Sequence, residues 1–211
     1  MSCPICQKRK PGRFCPAKVE KICAVCCGTE REVSIDCPPD CGYLLSAHRY
    51  EDEHPRSFPA DTPLLDVRIT SDAIRVHGQL LSASAFTIAK FCAAHPAASD
   101  PDVLAALRAL AEMHKTLASG ILYEQPPVVR VQHELYDSLS AFLKQTKQQA
   151  TQASFASVKD SEIFQLLVFL FRMGLLRTNG RPRSRRFIEF LRRQFPGAQE
   201  LKREESRIIA P

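Results

Sequence analysis

Eight of the nine cysteines in this 211-residue chain lie within its first 41 residues, as Cys3-x2-Cys6, Cys15, Cys23-x2-Cys26-Cys27 and Cys37-x3-Cys41, and Cys92 stands alone. A segment of this size cannot fold on apolar burial alone, so covalent or metal staples must hold it. Residues 1 to 20 contain no apolar leader, which gives the expectation of reduced thiols and a cytoplasmic location and argues against disulfides. Cys3-Pro4-Ile5-Cys6 has charged residues after it rather than the strand and helix that a redox pair requires. Close thiol pairs suit a tetrahedral metal: two thiolates on one tight turn reach the same ion at about 2.3 Å, and a second pair closes the shell. Zinc is the expected ion, ahead of an iron–sulfur cluster, and eight thiols suffice for two ions.

The residues between the cysteines suggest how they are presented. Cys3-x2-Cys6 and Cys23-x2-Cys26 read as two knuckles, with Gly28 supplying a left-handed exit from the second. Val33 and Ile35 alternate within Arg31 to Asp36, the pattern of a short strand leading into Cys37, and Pro38-Pro39 stops it. Gly42 to Glu53 reads as a helix, so Cys37 and Cys41 sit at a helix entry, where the dipole favours thiolate.

This spacing resembles the cross-brace and treble-clef zinc modules of the HIT, MYND and B-box kinds over residues 3 to 48. The resemblance implies alternating ligand pairs, with one ion on Cys3, Cys6, Cys23 and Cys26 and the other on Cys15, Cys27, Cys37 and Cys41. It departs from those modules at the isolated Cys15, and because several of them use a late histidine, His48 or His54 is a substitute ligand for Cys15 or Cys27. Those modules mostly mediate protein contacts, so the resemblance implies a protein partner and a scaffold, offered through the 31–36 strand and through Tyr43, Leu44 and Arg49.

Catalytic zinc keeps an open position beside a general base, commonly with histidine or carboxylate among its ligands, whereas thiolates are in surplus here. No deaminase signature, nucleophile elbow, phosphate loop or dinucleotide fingerprint occurs, so no catalytic residue is assigned. A non-enzymatic protein is expected, with a zinc-dependent enzyme as the least favoured class. Cys92, inside an apolar run, reads as a small core side chain.

The fold expected is mainly α: a double-zinc module of short strands plus a helix over residues 1–53, a linker over 54–63, and a domain of about five helices over 64–211. The linker carries three prolines. Residues 66–78 fit either a hairpin or a helix capped by Asp72. Helical stripes follow over 82–95, from Asp100-Pro101 to Ser119 before Gly120, over 132–150, over 160–177, and over 185–195 behind a Ser184 cap. Ile163 to Leu176 is apolar nearly all round, but at fourteen residues with Arg172 inside it is too short to span a bilayer, so no membrane role is expected.

Net charge is +3 over residues 1–50, −4 over 51–171 and +7 over 172–211. The basic end holds an Asn179-Gly180 turn, an arginine loop and a helix. Arg181, Arg183, Arg185, Arg186, Arg192 and Arg193 there support an alternative function, nucleic-acid binding through phosphate neutralisation. Against it, the middle region offers acidic partners to the same arginines. The cations near the cysteines also have thiolate charge to compensate, and the chain contains no tryptophan.

Overall fold

The computed structural model describes residues 2–54, 57–59, 61–152 and 158–198. Among these the protein is mainly helical, with eight helices and one two-stranded sheet. The chain divides into two compact units, Met1–Pro59 with Asn179–Ser184, and Ala60–Thr178 with Arg185–Pro211. The first division falls at Pro59, inside the stretch expected as linker, of which residues 55, 56 and 60 lie outside the described residues.

The first unit contains β1 (Arg13–Cys15), β2 (Glu20–Ile22), α1 (Ala24–Glu30) and α2 (Gly42–Glu53). The strands pair antiparallel with Phe14 opposite Lys21, so one face of the ribbon carries those two side chains while Cys15 and Ile22 turn inward and are buried. The strand expected over 31–36 does not form. The Glu30 carbonyl instead accepts the amides of Val33, Ser34 and Ile35, closing a tight turn in which Glu32 takes a left-handed φ of 52°. Gly28 lies inside α1, and the left-handed residue of the first knuckle is Gln7, at φ 53°. Apart from cysteines, the only buried hydrophobic side chains among the described residues of this unit are Ile22, Ile35 and Leu44. Three aliphatic side chains are far too few to hold a unit of this size, and cysteines make up the rest of its buried apolar cluster.

The second unit contains α3 (Ser71–Val76), α4 (Gly78–Ala94), α5 (Asp100–Ala118), α6 (Arg130–Gln152), α7 (Asp160–Arg177) and α8 (Arg186–Gln194). The 66–78 stretch is the helical alternative, but its cap is Thr70 rather than Asp72: Thr70 Oγ1 accepts the Ala73 amide at 3.3 Å, while its own N–H and hydroxyl donate to Gln165. α5 and α7 form the central pair, with α4, α6 and α8 packed around them. Their stripes interleave in one core, in which Val103, Leu107, Leu110, Leu139, Leu170 and Phe187 are completely buried. Arg172, polar within the most apolar helix, donates to the carbonyls of Leu64, Leu65 and Val67 and so pins the 64–67 segment onto α7. Among the described residues no helix is long and apolar enough to cross a membrane.

The amino terminus of α8 has no side-chain cap of its own, although Ser184 precedes it. The buried Asp100 carboxylate, at the start of α5, accepts the Phe187 and Ile188 amides at 3.1 Å and serves that purpose from another helix.

Candidate metal centre

Four sulfur atoms converge in the first unit. The Sγ atoms of Cys3, Cys6, Cys23 and Cys26 all lie within 4.8 Å of one another, and Cys6 and Cys23 approach to 3.9 Å. Four thiolates around an ion at about 2.3 Å form a tetrahedron with edges of roughly 3.8 Å, so the cage already has the dimensions of a four-coordinate site and can hold a metal ion. The sulfurs are far too distant from one another to be disulfides, and all nine cysteines are free.

The local chain explains the convergence. Residues Cys3 to Arg9 close a knuckle in which the Gln7 amide donates to the Cys3 carbonyl at 2.7 Å and the Cys3 amide to the Arg9 carbonyl at 2.8 Å. The hairpin then returns the chain, the Gly12 amide meeting the Ile22 carbonyl, and delivers Cys23 as the cap of α1. Backbone amides aim at the sulfurs: Cys23 N–H donates to Cys3 Sγ at 3.3 Å and Cys26 N–H to Cys23 Sγ at 3.4 Å.

Backbone amides and burial shift three of these thiols in different directions. The Lys8 and Arg9 amides pull the Cys6 thiol down to about 6. At Cys3 burial works the other way, but the amides of Cys6, Cys23 and Ile5 prevail and lower it. Burial and the neighbouring thiols push Cys26 up to about 12. A cage that favours the first negative charges and resists further ones favours a positive counter-ion at its centre. A four-coordinate ion held by all four of these sulfurs would keep no open coordination position.

Cys15, Cys27, Cys37 and Cys41 are brought to the walls of one small cavity, together with Ile22, Ile35 and Leu44. They do not converge as the first four do: the Cys3 cage is the only group of three or more potential ligands within 4.8 Å of one another among the described residues. Cys41 stands at the N-cap position of α2, and burial, with the nearby Cys41, Glu32 and Cys15, raises Cys37 against a backbone hydrogen bond from Glu32. The two candidate substitute histidines are engaged elsewhere. His54 Nδ1 lies 2.9 Å from the Tyr50 carbonyl with its ring stacked on that tyrosine, and His48 Nε2 lies 3.3 Å from Glu32.

Segment 179–184, remote in sequence, belongs to this unit. Glu32 is only 3% exposed, and Asn179 Nδ2 donates to its carboxylate at 2.7 Å. Burial opposes ionisation there, but the bonds from His48 and Asn179 outweigh it and hold Glu32 below the usual carboxylate range. The Arg183 amide donates to the Glu32 carbonyl at 2.8 Å, and the Arg181 guanidinium reaches the Gly28 and Arg31 carbonyls at the carboxyl end of α1. The Asn179-Gly180 turn has Gly180 at φ 73° and Asn179 Oδ1 accepting the Arg181 amide. No periodicity marks this strap in the sequence; the Asn-Gly dipeptide followed by arginine was its only sign.

The basic candidates are therefore placed one by one. Arg181 serves α1, Arg183 Nη1 lies 4.0 Å from Asp36, Arg185 donates to the Ala98 carbonyl and Arg192 to the Cys92 carbonyl. Arg193 is exposed with a bond to Glu189 of its own helix, and Arg186 is half-buried. Of the residues expected to face a partner from α2, Arg49 is exposed and Tyr43 lies under the Arg13 guanidinium, but Leu44 is only 2% exposed and belongs to the unit's interior. Burial pushes Cys92 up to about 12, which keeps it protonated and inert.

No protein-family model, no curated protein and no solved structure matches this chain.

Proposed function

We propose that the first unit is a zinc-stapled, non-enzymatic binding module, and that the metal acts structurally by fixing the hairpin and both short helices as one rigid surface. The observation that carries this reading is the four-thiol cage of Cys3, Cys6, Cys23 and Cys26. Its all-sulfur composition selects a soft, tetrahedral ion, and zinc fits best. The near-absence of an aliphatic core supplies the need for it. A second zinc is assigned to Cys15, Cys27, Cys37 and Cys41, which line one small cavity and would have to converge for an ion to bind them. A scaffolding role follows because neither ion would retain a position for substrate or water.

The nucleic-acid reading built on segment 177–193 is not favoured, because Arg181, Arg185 and Arg192 spend hydrogen bonds on backbone carbonyls within their own units. Elemental analysis of natively purified protein tests the proposal. Two zincs per chain are expected, falling to about one in Cys15→Ser and to about one in Cys6→Ser. Metal-free native protein would refute it.

A further inference from the structure

The cations of the first fifty residues are segregated. Lys8, Arg9, Lys10, Arg13, Lys18 and Lys21 lie on the first knuckle and the hairpin, with Glu20 as the sole carboxylate among residues 2–22. Glu30, Glu32, Asp36 and Asp40, the remaining acids of the first fifty residues, all follow the hairpin. Five of the six cations are exposed, Arg13 is half-buried against Tyr43, and none makes an ion pair among the described residues. Six cations against one carboxylate give this segment +5, so even two tetrathiolate zincs, formally −2 each, leave it about +1. A large apolar surface interrupts the charge: Phe14 is 53% exposed beside its cross-strand neighbour Lys21, and Val19 is 78% exposed at the hairpin tip with a left-handed φ of 54° that a β-branched residue seldom takes. An exposed flat ring beside Lys21, on a segment rich in exposed lysines, suits a ligand that alternates aromatic faces with negative charge. Single-stranded nucleic acid has that alternation: an unstacked base lies on the ring while the lysines meet the adjoining phosphates. A duplex keeps its bases stacked, and an acidic peptide offers charge without an obligatory π-face.

We propose that the exposed, lysine-rich surface of the first knuckle and the β1–β2 hairpin, with Phe14 as stacking platform, Lys21 beside it and Lys8, Lys10 and Lys18 as further phosphate contacts, binds single-stranded nucleic acid. This rests on the zinc-module reading, since the metal holds the ribbon in place.

Fluorescence anisotropy of full-length, zinc-loaded protein with labelled 20-nucleotide RNA and DNA single strands tests it, with zinc content measured on the same samples. Binding is expected to weaken steeply with salt, with a log–log slope of roughly −3 for four or five phosphates. Phe14→Ala is expected to weaken binding roughly tenfold, with Phe14→Tyr retaining it. Lys18→Ala with Lys21→Ala is expected to weaken it by roughly tenfold or more at low salt. Arg193→Ala is expected to leave it unchanged. Metal-loaded protein that binds neither strand refutes this proposal and leaves the zinc module standing, whereas metal-free native protein refutes both. Equal affinity for polyglutamate, equal affinity for duplex, or dependence on Arg193 with indifference to Phe14 would each also overturn it.

Discussion

At the scale of single residues, Glu32 shows how a local rule is broken and compensated. A glutamate with left-handed φ and almost no exposure is costly on both counts, and the hydrogen bonds from His48 and Asn179 offset that cost. Asn179→Ala leaves the carboxylate short of a donor, and the first unit should lose about 1–3 kcal/mol in denaturant titration, with zinc still bound. A half-buried charge cluster lies in the helical unit, where the His114 Nδ1–H meets Asp160 at 2.9 Å and Lys147 donates to both oxygens of the same carboxylate. Burial lowers His114 below 6.5, against the pull of Asp160. Burial raises Asp160, but the bonds from Lys147 and His114 prevail and lower it below 3.8. Both folded-state values are depressed, so both groups contribute stability above their unfolded pKa and lose it as pH falls through the folded one. Hydrogen exchange of α5 and α7 amides should therefore accelerate as pH drops below about 6.5, after correction for intrinsic exchange. His114→Gln should flatten the upper part of that dependence; an unchanged profile would contradict the assignment.

At the scale of elements, close packing fixes choices that propensity alone would reverse. Gly174 sits within α7, where alanine would ordinarily be preferred by about 1 kcal/mol. A Cβ there would lie 2.7 Å from Leu104 Cδ2 and 3.0 Å from the Phe187 ring. Gly174→Ala is therefore expected to destabilise the helical unit by about 1–3 kcal/mol in thermal or urea melts, despite the gain in helix propensity. The long helices were legible in the sequence because each buries a stripe recurring over several turns, as Val103, Leu107 and Leu110 do on α5. The ribbon of β1 and β2 was not legible: three residues per strand are too few to show alternation, and their partners are fixed by thiol geometry. Val33 and Ile35 imitated a strand in the sequence only: a strand would place both on one face, whereas the turn at Glu32 buries Glu32 and Ile35 and leaves Val33 and Ser34 exposed. Cys3, Cys6, Cys23 and Cys26 were legible as a group because paired spacing is itself the chemistry. The strap was not, since its Arg181–Gly28 contact joins residues 153 apart through a side chain and a carbonyl.

At the scale of the whole molecule, the two units differ in what holds them: a continuous aliphatic core in one, and sulfur with its expected metal in the other. Chelation at neutral pH should release zinc and unfold the first unit while most far-UV helical signal remains, because α3 to α8 lie in the second unit. Loss of the entire helical signal on chelation would contradict that division. The central claim is a closed, all-thiolate metal centre, and zinc K-edge X-ray absorption on natively purified protein tests it most directly. The account predicts a first shell of four sulfurs at about 2.3 Å with no oxygen or nitrogen. A shell containing oxygen or nitrogen, or a sample with no zinc edge, would contradict it.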